Sequence, residues 1–290
     1  MPGFTKVKDL VDSQVVNGSE RYYTFRKAIS LTPQSGIWFD FTMSPGNPVP
    51  KYWFDATPLI GVQIKQSTDG GLFHGSNVSP QIKYLRELMV FCTSATPLPM
   101  PMMLCDYLLY YPTIDETVTT PQVMTNNFPL PRYADGGGVQ MMAVSTAPRT
   151  GGQTFTVNYT NSLGVSGRVT PNVAENNLGV NGNIVNSYTT NTLGAASGLF
   201  IPLQTGDLGV QSVQSVTMNG ADVGLFSIVL VKPLANLSIR GVDAPVEVDY
   251  FKDFSITPII QDDAYLNLLG VPQGNLSGTQ IHGSIRTTFF

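Results

Sequence analysis

The chain has 290 residues and a formal net charge of −4; 42% of residues are hydrophobic and only 12% are charged. Disorder combines low hydrophobicity with high net charge, so this chain folds, with length enough for one large domain or two ordinary ones. Lys and Arg number 16 and form no cluster, which excludes the basic footprint that nucleic-acid binding needs.

Taken in chain order, residues 1–8 show no apolar run behind their basic residues and do not read as a secretion signal. Strand candidates follow at 22–29, 37–42 and 59–65. Between the last two, residues 43–50 hold three prolines and a glycine, too many for a helix or a central strand. This stretch reads as an extended loop or arm that could be removed without loss of the fold. A helix is expected near 80–92: Ser79 suits the N-cap, Pro80 the first turn, and Ile82, Leu85, Leu88 and Met89 fall at helical spacing. The most apolar region, 88–111, is interrupted by Pro97, Pro99 and Pro101 and contains Asp106, so it is no plain membrane span.

Residues 154–160 alternate apolar and polar side chains, the period of a half-buried strand. A turn at 161–164 and a second alternating run at 165–170 complete a hairpin. Residues 225–231 are almost continuously apolar up to Lys232 and Pro233, as for a strand covered on both faces. Further strands are expected at 184–189 and 281–290, the latter with Ile281, Ile285 and Phe289 on one face, and a short helical turn near 263–267. Gly and Pro recur about every ten residues. The fold class is therefore all-β, a mainly antiparallel sandwich or barrel with one or two short helices. A change of composition near 131–138 divides it into two β domains, 1–132 and 139–290.

Chemistry-bearing patterns are sparse. His74 and His282 stand alone among Gly and Ser and read as turn or surface residues rather than metal ligands. Cys92 and Cys105 read as buried free thiols. The carboxylate pairs Asp115–Glu116 and Asp262–Asp263 read as turns or caps, since adjacent residues on a strand point to opposite faces. No pattern demands a cofactor or a metal ion, and no enzymatic role is expected. The weakly charged polar surface costs little to desolvate, which suits a protein in contact with neighbours. Candidate interface residues are Trp38, Pro45, Asn47, Pro48, Tyr52 and Trp53, aromatic anchors beside the arm.

Several segments carry a resemblance. These are 130–139, the hairpin 159–171, Gly206 through Val210, Leu230 through Ala235, and Asp263 through Asn267. Together they resemble virion proteins of tailed bacteriophages, of the head decoration or cement type. The resemblance implies a protein made in the host cytoplasm and carried on the outer surface of the head. Its implied partners are the major capsid protein and copies of itself, with a trimer as one arrangement, and neither nucleic acid nor membrane. A tail or baseplate component with a receptor or carbohydrate site is the alternative, in which Trp38 or Trp53 would line an exposed groove.

Overall fold

The computed structural model describes residues 6–188, 194–252 and 257–290. In the first half of the chain the strands are β1 (Arg21–Ala28), β2 (Phe39–Asp40), β3 (Gly46–Asn47), β4 (Val62–Gln63), β5 (Lys83–Cys92), β6 (Met100–Asp115) and β7 (Gln122–Val123). Then come β8 (Gln140–Ser145), β9 (Thr154–Asn161), β10 (Arg168–Val169), β11 (Val173–Ala174) and β12 (Val210–Met218). The last are β13 (Leu225–Ile239), β14 (Val246–Asp249), β15 (Ile259–Ile260), β16 (Tyr265–Gly270) and β17 (Gln280–Phe289). Among the described residues, α-helix is confined to α1 (Val7–Val11) and α2 (Gln66–Asp69). The protein is all-β and mainly antiparallel.

Three sheets result. The central one runs β2-β16-β6-β13-β8, with β4 also on β6. A second runs β14-β5-β17-β1-β3, and a third β10-β9-β12-β7. One face of the long central pair, β6 and β13, serves both of the others. Met100, Met102 and Leu104 at one end of β6 pack with Leu88 and Ile285 of the second sheet. Leu109, Tyr111 and Ile114 at the other end pack with Val157 and Val213 of the third. The opposite face of the central sheet carries Cys105, Tyr107 and Tyr110, covered by Trp53, Ile64 and Ile184 from irregular segments.

This arrangement corrects the expected division into 1–132 and 139–290. Every sheet contains strands from both halves, and β6 pairs with β13 along almost its whole length. The segment at 131–138 is no linker either, because Arg132 is buried and Gly138 donates its backbone N–H to Leu208. Composition marks turns here, not a boundary.

The helix expected near 80–92 is strand β5. Its pairing with β17 shifts between Arg286 and Thr287, which leaves Arg86 as an extra residue opposite them. A bulge of this kind turns the two-residue period of a strand into one step of three. Leu85 and Leu88 therefore share the buried face at a helical spacing without a helix. The same device operates twice in β12, where Val210, Val213 and Val216 all face the core across two bulges. That strand has no counterpart in the sequence-based set.

Other differences have local causes. The turn expected near 263–267 is a tight turn at Asp263 (φ 61°) that leads straight into β16. Strand β13 continues through Lys232 and Pro233 to Ile239, because its ladder to β8 ends at Val231 and a bulge follows Pro233. There the missing proline N–H leaves no gap in that ladder. The expected strands at 37–42 and 59–65 shorten to two residues each, and 184–189 to the single bridge of Ile184 with Val144. Position 189 lies outside the described residues. The hairpin at 154–170 and the C-terminal strand form as expected, and both cysteines are free and buried.

Candidate interface and a buried carboxylate cluster

The arm is held down rather than free. Lys27 of β1 lies beneath it, fully buried, and donates to the carbonyls of Ser44 (2.9 Å) and Pro48 (3.0 Å). Burial lowers this ammonium to about 8, because the charged form is the one that loses solvation. Removing 44–49 would leave Lys27 only the Thr42 carbonyl at 3.5 Å, so the arm is tied to the fold beneath it.

Residues 52–54 then alternate outward, inward and outward. Trp53 is fully buried; its indole N–H donates to Asp40 Oδ2 (2.7 Å), and its ring stacks on Tyr107 with 5.6 Å between centroids. Asp40 Oδ1 also accepts from the Tyr107 hydroxyl and the Thr42 N–H, both at 2.9 Å. Tyr52 and Phe54 are exposed, with ring centroids 5.3 Å apart. Of the six interface candidates, Pro45, Asn47 and Tyr52 lie on the surface, whereas Trp38 is half-buried against the central core. Pro48 and Trp53 are buried and can touch no partner. No lectin-type groove is therefore built on Trp53.

Two further surface features escaped the sequence reading. On the outer face of the second sheet, Tyr22, Arg26, Asn47, Met89, Phe91 and His282 line a shallow depression of about 290 Å³, with Phe91 and His282 stacked at 5.1 Å. At the end of the third sheet, Leu163 and Leu208 are 80% and 76% exposed. Both sit on a braced support. Asp207 accepts from the Tyr159 hydroxyl (2.5 Å), Asn161 Nδ2 (2.7 Å) and Arg168 Nε (2.9 Å). Those bonds, Arg168 first, hold its carboxyl at about 2. The backbone also ties the two loops, as Ser162 N–H donates to Gly209 (2.9 Å).

Of the two histidines, His74 departs from expectation. His74 is buried: its ring contacts the Ala264 carbonyl through Nε2 (2.8 Å) and Lys83 Nζ through Nδ1 (3.1 Å). Burial, reinforced by Lys83, lowers it to about 4. The ring is thus neutral, accepting from the ammonium and donating to the carbonyl. His282 lies on strand β17. Asp262 and Asp263 cap turns, accepting from the N–H groups of Val78 and Ser67, and Asp115 does the same for Thr117.

Glu116 does not follow Asp115 to the surface. It is buried with Glu175, and with half-buried Asp222 the two bring one carboxylate oxygen each to within 4.8 Å of the others. The acids arrive from the end of β6, the end of β11 and the turn between β12 and β13. Arg149 lies among them, fully buried, donating from Nε to Glu116 Oε1 (2.6 Å) and standing 3.7 Å from Glu175. Its other donations go to Asn176. Glu116 Oε2, both oxygens of Glu175 and Arg149 Nη2 have no hydrogen-bond partner. Burial, with the charge of Glu116 added, pushes the Glu175 carboxyl up to about 8. Gly224 is required beside them, since a Cβ there would collide with the Arg149 Cβ as well as approach Glu116 Oε2. Adjacency of Asp115 and Glu116 was visible in the sequence; the distant partners Arg149, Glu175 and Asp222 carried no signal.

No protein-family model, curated protein or solved structure matches the chain. Among the described residues, no helix is long and apolar enough to cross a membrane.

Proposed function

We propose that this chain is a non-enzymatic structural protein of a tailed-phage virion, a decoration or cement protein of the capsid head. It would rest on the outside of the lattice and bridge adjacent copies of the major capsid protein, with copies of itself as neighbours, as a trimer at a local three-fold axis. The observation that carries this reading is the way its exposed apolar side chains are held. Leu163 and Leu208 stand on loops braced by Asp207, while Tyr52 and Phe54 flank a tryptophan locked into the core. Anchors fixed before contact lose little freedom on binding, so more of their burial appears as affinity. A specific interface buries on the order of 1,600 Å² in total, and several per subunit add through avidity. The resemblance at 130–139 and 206–210 supports the same reading, since Gly138 and Leu208 meet in the loops behind this tip.

The depression lined by Tyr22, Phe91 and His282 favours a second reading, a tail component that stacks a sugar ring on aromatic faces. Cryo-electron microscopy of intact particles separates the two. Regular density on the head is expected, together with loss of the Leu163→Ser/Leu208→Ser and Tyr52→Ser/Phe54→Ser variants from purified particles at unchanged melting temperature. Density confined to the tail, or full incorporation of both variants, overturns the decoration reading.

A further inference from the structure

We propose that Glu116, Glu175 and Asp222 form a binding site for one divalent cation of the calcium type, which ties the central sheet to the third sheet. This goes beyond the assembly role and does not depend on it. The three acids come from separate segments, yet one oxygen of each lies within 4.8 Å of the other two. A site built from three protein carboxylates suits calcium, whose oxygen coordination is flexible, better than magnesium, which demands near-ideal octahedral geometry and keeps several of its waters.

A second observation points to a ligand independently of the clustering. The Glu175 side chain is fully buried, and neither of its oxygens accepts a hydrogen bond; Glu116 Oε2 is in the same position. A buried polar group left without a partner costs about 1–3 kcal/mol, more when it is charged, so folds rarely retain three together without use. Arg149 does not remove the need. Its Nε serves the other oxygen of Glu116, Nη1 is turned to the Asn176 carbonyl, and Nη2 stands 3.7 Å from Glu175 Oε2, beyond hydrogen-bond reach. With all three carboxyls ionised, as ligands of a cation, the one guanidinium leaves two negative charges, which a single divalent ion balances.

The rest of the site is built to hold these groups still. Glu116 N–H donates to the Gly224 carbonyl, and Asp222 N–H donates to the Glu116 carbonyl at 2.8 Å, closing one loop on the other. The Thr150 hydroxyl bonds Asp222 Oδ1. Gly224 lets the chain pass against Glu116 where no side chain would fit. Asp222, half-buried, gives the ion its route from solvent.

The test is calorimetric titration of the chelated full chain with CaCl₂ and, separately, MgCl₂, with melting temperature followed in parallel. One calcium site is expected, with a melting temperature that rises with calcium and falls back on adding EDTA, and a weaker response to magnesium. Glu175→Gln and Asp222→Asn should each lose the calcium response by at least about tenfold in affinity, the size of loss that disturbing a metal site typically gives. Circular dichroism of the chelated variants shows whether they are folded. No heat and no melting shift in the folded parent overturns the site, as does an unchanged calcium response in both folded variants.

Discussion

Among the described residues Arg86, Arg132 and Arg149 are buried against carboxylates, and the surroundings of the last two differ in one respect. Arg132 donates to both oxygens of Asp106, from Nε at 2.9 Å and Nη2 at 2.8 Å, and Nη2 also reaches the carbonyls of Ile64 and Tyr107. Asp106 further accepts the Tyr265 N–H. Arg149 pairs with Glu116 and stands 3.7 Å from Glu175, and it satisfies one oxygen of the cluster well. The first pair joins Asp106 on β6 to a loop through Arg132 and to β16 through the Tyr265 N–H, a closed network. The second lies where three chain turns meet, and Glu116 Oε2 and both oxygens of Glu175 accept no hydrogen bond there. The comparison teaches that burial of charge is not one phenomenon. A completed network is architecture, while an incomplete one has room for a ligand.

The contrast can be broken from either side. Arg132→Met should cause the largest effect, about 3–5 kcal/mol of lost stability in urea denaturation, because Asp106 would remain buried without its partner. A loss below about 1 kcal/mol would mean that Asp106 does not depend on the pair. Glu175→Gln in chelated protein should change stability by less than about 1 kcal/mol, or raise it, since the carboxylate gives up no hydrogen bond. A loss as large as at Arg132 would erase the distinction.

The smallest effect sharpens the surface counterpart. Asp207 is ionised at an ordinary 3.8 but at about 2 in the folded chain. A carboxylate depressed on folding contributes stability that is complete above its unfolded value and disappears as pH falls through the folded one. The parent should therefore lose stability relative to Asp207→Asn as pH drops from about 4 to about 2, seen as converging melting temperatures. Parallel curves across that window would show that Asp207 does not brace the Leu163 tip.

Much of the strand content was legible in the residues, because alternation reports a half-buried sheet directly. The run at 154–161 buries every second side chain, and its turn at 161–164 closes as the Asn and Gly there suggest. Where a bulge intervenes the signal fails, as in β5 and β12, whose inward residues sit three apart like those of a helix. The candidate interface was partly legible. A cluster of aromatics at 52–54 is visible, but which of them face outward is decided by Asp40, at a distance in the chain that no periodicity encodes. The acid cluster was invisible apart from Glu116.

By itself, then, the sequence determined that this is an all-β chain, low in charge, with free thiols and a hairpin at 154–170. Those properties depend on composition and on neighbours within a few residues. Only the tertiary structure decided that the two halves share every sheet, that Lys27 and Arg132 lie inside, and that Glu116, Glu175 and Asp222 meet. Such contacts arise where strands remote in sequence are brought into register, and the free energy that selects them belongs to the assembled core rather than to any one segment.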